Sequence, residues 1–209
     1  MAFCNNAAVH GSGDVWFSDS SRHYGIDRWK ADMVEDTASG RLLVRRADGR
    51  VEVVLEGLRF ANGVALSADD SYVAVAESAG RTVVRRWLAG PDEGVVDHLV
   101  TDLPGYPDNI ARGSDGLIWV TIASPTDPVA ERLMTGPMVL RRLAWRLPGP
   151  LQPKPKRTVR VMAFDDTGAT VHDRTLDATG YHMVTGVREH DGRVWLGSLQ
   201  ESAVAVFDL

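Results

Sequence analysis

The sequence has 209 residues, enough for one all-β domain or for two small domains. Hydrophobic residues make up 44% and charged residues 24%, as in an ordinary globular protein, and the net charge of -5 argues against a nucleic-acid partner. The single cysteine excludes an internal disulfide and a multi-cysteine zinc site. Because no apolar run reaches about 18 residues and the start does not resemble a signal peptide, we expect no membrane partner and a cytoplasmic location.

Four segments of the chain share one plan. Each begins with a polar residue, continues as a short alternating strand, turns at Gly, Asp or Ser, and ends in a strand rich in Val, Trp and small residues. The segments start at Asn5, Asn62, Asp108 and Thr185. Further strand-like stretches follow at 40–58 and 81–90. The four segments therefore predict repeated β-hairpins.

The spacing of these repeats favours a β-propeller. Asn62 follows Asn5 by 57 residues, and Asn109 follows Asn62 by 47. Four-stranded units of roughly 40–50 residues are typical of propeller blades, whereas an unrelated all-β sandwich is the alternative. We predict one all-β domain over residues 1–209, with three full blades and most of a fourth. Tryptophan recurs in equivalent strands, which we attribute to packing between blades: Trp16, Trp119 and Trp195.

Residues 124–157 interrupt the repeats and hold seven of the ten prolines. Apolar residues near helical spacing predict one short amphipathic helix within this Pro-rich insertion. These residues are Leu133, Leu140, Leu143, Ala144 and Leu147. A lid over one end of the propeller is one interpretation of the insertion, and a solvated surface segment is the other.

Several motifs, in order along the chain, resemble the strictosidine synthase-like family. They are "FCNNAAV", "GRLL", "LRFANGVALS", "AESAGRTVVRRWLAG", "LPGYPDNI" and "VREHDGRVWLGSL". This family is related to calcium-dependent lactonases of the gluconolactonase and paraoxonase type. The resemblance implies a six-bladed propeller with calcium in its central channel, of which this sequence corresponds to about four blades and lacks the first two.

Carried over motif by motif, the resemblance implies four residues in contact with calcium. They are Asn5 of "FCNN", Asn62 of "FANG", and Asp108 with Asn109 of "PDNI". The innermost strands of successive blades point one end at the propeller axis, so polar residues at those ends converge, and calcium prefers oxygen ligands. The alternative for any one of them is a turn-forming residue at a strand entry. Asn6 is interpreted as a supporting or turn residue.

The function implied is metal-assisted hydrolysis of a small-molecule ester or lactone. His182 is the candidate proton acceptor by its position and its pKa class, and a structural or exposed histidine is the alternative. Strictosidine synthases proper use a glutamate base just before the "EHDG" motif, and Thr185 stands at the matching position. A threonine cannot serve as that base, so a lyase of the strictosidine synthase type is disfavoured.

A non-catalytic propeller fragment that binds a partner is the competing hypothesis. Open blade edges predict self-association of such a chain, because unpaired strand edges attract further strands. Cys4, in the strand-like "AFCNN", is interpreted as a small apolar filler.

Overall fold

The structure is a computed structural model that describes residues 1–146 and 155–209, without the side chains of 145 and 146. Its strands form four antiparallel sheets, each built from consecutive strands. The first blade contains β1 (Cys4–Val9), β2 (Val15–Asp19), β3 (Gly40–Arg45) and β4 (Val51–Leu58). The second contains β5 (Ala61–Leu66), β6 (Tyr72–Glu77), β7 (Thr82–Trp87) and β8 (Val96–Val100). The third contains β9 (Gly105–Arg112), β10 (Ile118–Pro125), β11 (Val159–Phe164) and β12 (Thr170–Leu176). The fourth contains β13 (Val184–His190), β14 (Arg193–Ser198) and β15 (Ala205–Asp208).

The four sheets are arranged as the blades of a β-propeller. The first strand of each blade is the innermost, and these strands contact one another in the order β1, β5, β9 and β13. Three blades have four strands and the fourth has three in the described part of the chain. The predicted all-β propeller is therefore confirmed, and the sandwich alternative is wrong, because the second and third sheets each pack against two neighbouring sheets and not on a single partner sheet.

Apolar side chains between neighbouring blades form the core. Trp16 of the first blade packs in one cluster with Leu66 and Val75 of the second. Trp119 of the third blade is fully buried in a cluster with residues of the fourth blade, including Leu196. Trp195 stands at the equivalent position of the fourth blade and is 43% exposed. Packing between blades is thus confirmed for Trp16 and Trp119, and the same prediction for Trp195 is wrong because no described blade covers that face.

Two connections between strands contain helices. A 3-10 turn at 26–28 and helix α1 (Trp29–Glu35) lie between β2 and β3, whereas α2 (Pro128–Met134) and α3 (Met138–Arg146) lie between β10 and β11. Since β2 and β10 run antiparallel to β1 and β9, both connections leave at the end of the propeller where the innermost strands begin. The three helices contact one another there. We call them the helical cover.

The insertion is partly helical, but the single predicted helix is wrong. Gly136 and Pro137 separate α2 from α3, because proline cannot continue a helix from the preceding turn. Leu140 and Leu143 are 54% and 53% exposed and do not form a buried face. Leu133 and Ala144 do line a cavity, and Leu147 lies outside the described residues. Helix α1 was not predicted.

No helix in the ranges 1–146 and 155–209 has both the length and the apolar character needed to cross a membrane.

Candidate functional site

Each innermost strand carries a bulge near its first residues. In the first blade Cys4 pairs with Asp19 and Ala7 with Phe17, so three steps along β1 oppose two along β2. The same one-residue excess recurs between Ala61 and Val64, between Pro107 and Ile110, and between Val184 and Gly186. A bulge disrupts the ladder and redirects side chains, and this one repeats in four blades. It is therefore a property of the repeat.

The repeated bulge places four residues at equivalent positions of the inner strands. Each directly follows the paired residue at which the bulge of its strand begins. These residues are Asn5, Asn62, Asp108 and Thr185. All four line the same cavity, and so does Asn109, which follows Asp108 within the bulge. The structure thus brings together all the residues for which sequence reasoning predicted calcium contact.

A glycine allows the second and third blades to approach closely at this point. A Cβ atom added to Gly63 would lie 2.1 Å from the backbone nitrogen of Ile110, so any larger residue would force β5 away from β9. On the other side of β5, Oδ1 of Asn6 accepts a hydrogen bond from the backbone nitrogen of Val64 at 3.0 Å. Asn6 therefore joins the first blade to the second, which agrees with its interpretation as a supporting residue.

The amide of Asn62 has a chemically determined orientation. Ser78 Oγ donates its one proton to the backbone oxygen of Pro107 at 2.5 Å. That hydroxyl can therefore only accept from Asn62, whose Nδ2 lies 3.2 Å away. Asn62 is 3% exposed, and its Oδ1 is buried without a hydrogen-bond partner. The structure thus presents an unpartnered acceptor from a fixed side chain.

Asn109 repeats this arrangement between the third and fourth blades. Its Nδ2 donates to the backbone oxygen of Thr185 at 2.6 Å, and because a carbonyl oxygen only accepts, the nitrogen must face it. Oδ1 of Asn109 is consequently left buried without a partner. Among the described side chains, only these two amide oxygens and Nε1 of Trp16 are buried nitrogen or oxygen atoms without a hydrogen bond. A buried polar atom without a partner costs about 1–3 kcal/mol, which a bound ligand would relieve.

Asp108 and Asn5 complete the polar floor of the cavity. Burial raises the pKa of the Asp108 carboxyl to about 7, although hydrogen bonds from Asn62 and from the backbone of Asn109 oppose that rise. Nδ2 of Asn5 donates to Ser20 Oγ at 3.0 Å, which repeats the pairing of Asn62 with Ser78. We define the polar floor by the residues Asn5, Asn62, Asp108 and Asn109.

The donor atoms of the polar floor fit calcium in type. Amide oxygens and one carboxylate are hard ligands of the kind that calcium takes, and waters complete its coordination in proteins. Within residues 1–146 and 155–209, no group of three or more His, Cys, Asp or Glu side chains is placed to hold a metal. The set therefore suits a hard cation better than zinc, which prefers cysteine and histidine ligands.

His182 lies outside the residues that line the cavity. Its Nε2 faces the guanidinium Nη1 of Arg157 at 3.1 Å, and arginine only donates, so Nε2 is the acceptor. Nδ1 then carries the proton and donates to Oε1 of Glu201. Both ring nitrogens are engaged, and neither partner could be recognised from the sequence because both are distant along the chain.

The cavity has a volume of about 360 Å³ and lies between the polar floor and the helical cover. Ile26, Trp29, Met33 and Val34 line it from the connection that contains α1, and Leu133 and Met134 from α2. Cys4 also lines the cavity and is exposed, so its interpretation as an apolar filler is wrong. The reason is that this side of β1 is not packed against another described blade, since Ala7 and Val9 are exposed along it as well.

Comparison with known proteins confirms the predicted resemblance to the strictosidine synthase-like family. Residues 5–91 match the family model for strictosidine synthase. The protein STRICTOSIDINE SYNTHASE-LIKE 13 of Arabidopsis thaliana is 32% identical over 212 residues, which cover 98% of this chain and 49% of that protein. The chain thus spans about half the length of this relative.

Solved structures support the fold alone, because their sequence identity is low. A gluconolactonase from Xanthomonas campestris superimposes with a TM-score of 0.60 at 14% identity, over 93% of this chain and 54% of that one. Regucalcin from Agrobacterium tumefaciens, described as a calcium-binding protein, gives a TM-score of 0.61 at 15% identity, over 95% and 54%. Both cover nearly the whole of this chain.

Proposed function

We propose that this strictosidine synthase-like chain belongs to a hydrolase that cleaves a small-molecule ester or lactone at the polar floor, with calcium held there. The observation that carries the proposal is the pair of buried amide oxygens without partners, on Asn62 and Asn109, beside the carboxyl of Asp108. Calcium would supply electrostatic stabilisation for the negative charge that develops on a carbonyl oxygen during hydrolysis. Solved structures with the same fold are described as a gluconolactonase and as a calcium-binding regucalcin, which supports this class of chemistry.

The residues of the floor are preorganised for such a role. Ser78 and the backbone oxygen of Thr185 hold the amide nitrogens of Asn62 and Asn109, so their oxygens are left without partners in two residues that line the cavity. Asp108 brings the single negative charge, and a nearby cation would stabilise its ionised form and lower its pKa. The helical cover places apolar side chains opposite the floor, and a molecule that fills the space between them would displace water and strengthen these electrostatic interactions.

Calcium binding is the first test of the proposal. We expect excess calcium to raise the melting temperature of the chain relative to chelator, because an ion bound only to the folded state stabilises it. At a hundredfold excess over the dissociation constant this amounts to about 2.7 kcal/mol, or roughly 5–10 °C for a domain of this size. Asp108→Ala should abolish the rise, whereas Asp102→Asn, a change at an exposed carboxylate, should retain it.

Hydrolysis is the second test. Phenyl acetate and a γ-lactone should be turned over by the wild type with calcium and not with chelator or with Asp108→Ala. Stabilisation without turnover would favour the competing binding-module hypothesis. No response to calcium in either measurement would contradict the metal site itself.

The role of His182 as proton acceptor stays a prediction. Its engagement by Arg157 and Glu201 means that it would accept a proton at Nε2 only after Arg157 has moved away. If His182 has this role, His182→Gln should lower the rate of ester turnover about a hundredfold or more, as loss of a general base does, and should change the pH profile of that rate. An unchanged pH profile in His182→Gln would contradict the role.

Thr185 lines the cavity in register with Asn5, Asn62 and Asp108. Its hydroxyl is not a base near neutral pH, so we do not propose the condensation chemistry of strictosidine synthases. A small neutral side chain at this position leaves room above the floor.

A further inference from the structure

The half of the cavity opposite the polar floor is apolar. Helix α1 contributes Trp29 and Met33, and α2 contributes Leu133. The neighbouring wall contains Phe60, which is 5% exposed and contacts Phe3 edge-on with the ring centroids 5.7 Å apart. A molecule in this cavity therefore meets oxygen atoms on one side and hydrocarbon on the other.

Most of the polar groups near the helical cover are already engaged with one another. Asp127 accepts hydrogen bonds from the backbone nitrogens of Val129 and Ala130, at 2.8 and 3.2 Å, and its other oxygen pairs with Lys156 at 2.9 Å. Tyr106 donates to Glu131 at 2.5 Å, and burial together with that carboxylate raises the pKa of the phenol, which stays protonated. These groups offer few free positions to the hydroxyls of a sugar.

In the described part of the chain, Lys30 is the charged side chain that α1 contributes to the cavity lining. Its Nζ lies 5.6 Å from the centroid of the Trp29 ring. One cation cannot satisfy a polyhydroxylated molecule, and leaving substrate hydroxyls without partners is costly. An apolar group, by contrast, gains free energy in proportion to the surface that it buries there.

Hydrogen bonds hold the helices of the helical cover together and also tie them to the blades. Arg59 makes two hydrogen bonds of 2.9 Å to Asp36, which follows α1, and Nη1 of Arg141 donates to the backbone oxygen of Glu35 at 3.2 Å. Tyr106 and Glu131 attach α2 to β9. The apolar surface is therefore held at a defined height above the floor, as a specificity surface requires.

We infer that the substrate carries an apolar acyl or aryl group that lies against α1 and α2 while its ester or lactone group lies on the polar floor. Trp29, Met33 and Leu133 are the residues that determine this specificity. The inference rests on the proposed function for the reaction, but it concerns binding and can be tested without turnover. It sets this chain apart from a site built for a sugar lactone.

Cys4 provides a readout of binding that needs no chemistry. It is the single cysteine of the chain, it is exposed, and it lines the cavity. We would measure the rate at which a thiol reagent labels Cys4 in the presence of γ-lactones from five to nine carbons, of phenyl acetate, and of gluconolactone. Cys4→Ser supplies the unlabelled control, and each series is repeated with calcium and with chelator.

We expect the concentration of γ-lactone that halves the labelling rate to fall about fourfold per added methylene, as for burial of a CH₂ group. Gluconolactone should protect weakly or not at all. Leu133→Gln should weaken protection by the nine-carbon lactone about tenfold or more. Val129→Gln should leave that protection unchanged, because Val129 belongs to the same helix and is itself 73% exposed.

Protection that is independent of chain length, equal protection by gluconolactone, or no protection by any compound would overturn the inference. Equal effects of Leu133→Gln and Val129→Gln would also overturn it, since only Leu133 lines the cavity. If the proposed function fails and the inference holds, ester turnover does not depend on calcium, but the protection of Cys4 still depends on the chain length of the lactone.

Discussion

The two sides of the cavity differ in origin as well as in polarity. The polar floor comes from a bulge that repeats in all four blades, whereas the helical cover comes from connections in the first and third blades only. Hydrogen bonds within and between blades hold the side chains of the floor, and the cover contributes apolar side chains such as Met33 and Leu133. This difference suggests that the repeat supplies the reactive groups and that the unrepeated helices select the molecule that reaches them.

The largest expected effect concerns the charge on the floor. The pKa of Asp108 is about 7 in the folded chain against a usual value of 3.8, so the unfolded chain loses that proton first as the pH rises. Stability contributed by the protonated carboxyl is complete below pH 4 and is lost by about pH 7, at a cost of at most about 4 kcal/mol. In chelator, thermal unfolding of the wild type should show this decline, and Asp108→Asn should remove it.

Asp102→Asn is the matched control for this pH dependence, because that aspartate is exposed. In chelator near neutral pH, Asp108→Asn should be more stable than the wild type. With excess calcium the wild type should be the more stable of the two, since Asp108→Asn also removes the negative ligand. A decline with pH that persists in Asp108→Asn would show that another group is responsible.

The close approach of β5 to β9 gives the next largest effect. Gly63→Ala would place a Cβ atom 2.1 Å from the nitrogen of Ile110, so the inner strands must separate at the floor. We expect a loss of about 3 kcal/mol in the free energy of unfolding by chemical denaturation, together with loss of the response to calcium. Gly180→Ala is the control, because nothing lies within 4 Å of its added Cβ. Similar results for the two variants would contradict this account of the floor.

The cover should respond more weakly. Asp127→Ala removes the side chain that caps α2, which should cost about 1 kcal/mol and increase the rate at which Cys4 is labelled. Asp127→Ser restores a capping oxygen and should recover most of both effects. If Ser and Ala behave alike, the cap does not hold the cover in place.

The smallest effect on stability is expected outside both regions, on the face of the fourth blade. Trp195 is 43% exposed and pairs across strands with Val206, which is 50% exposed. Trp195→Ser should change the free energy of unfolding by less than about 0.5 kcal/mol, yet reduce the predicted self-association in sedimentation velocity. Val139→Ser, at another exposed apolar residue, is the control. An unchanged association state in Trp195→Ser would contradict a role for this face.

The repeat could be predicted from the sequence, because strand alternation and turn residues are local signals. The segments that begin at Asn5, Asn62, Asp108 and Thr185 are in register in the structure as they are in the sequence. The predicted blades followed from the same signal, whereas the sandwich alternative was excluded only by the arrangement of the sheets in the structure. The insertion at 124–157 was recognised by its prolines, although not its division into two helices.

Tertiary structure alone decided the chemistry of these residues. The unpartnered oxygen of Asn109 depends on a carbonyl 76 positions away, and the tautomer of His182 depends on Arg157 and Glu201. Helix α1 is only seven residues long and is stabilised by its contacts with α3, so its own sequence carries too weak a pattern to predict it. Local patterns thus determine which residues stand at the ends of strands. Contacts between distant segments determine which of their atoms remain free to bind, because hydrogen-bond partners are chosen by proximity in space.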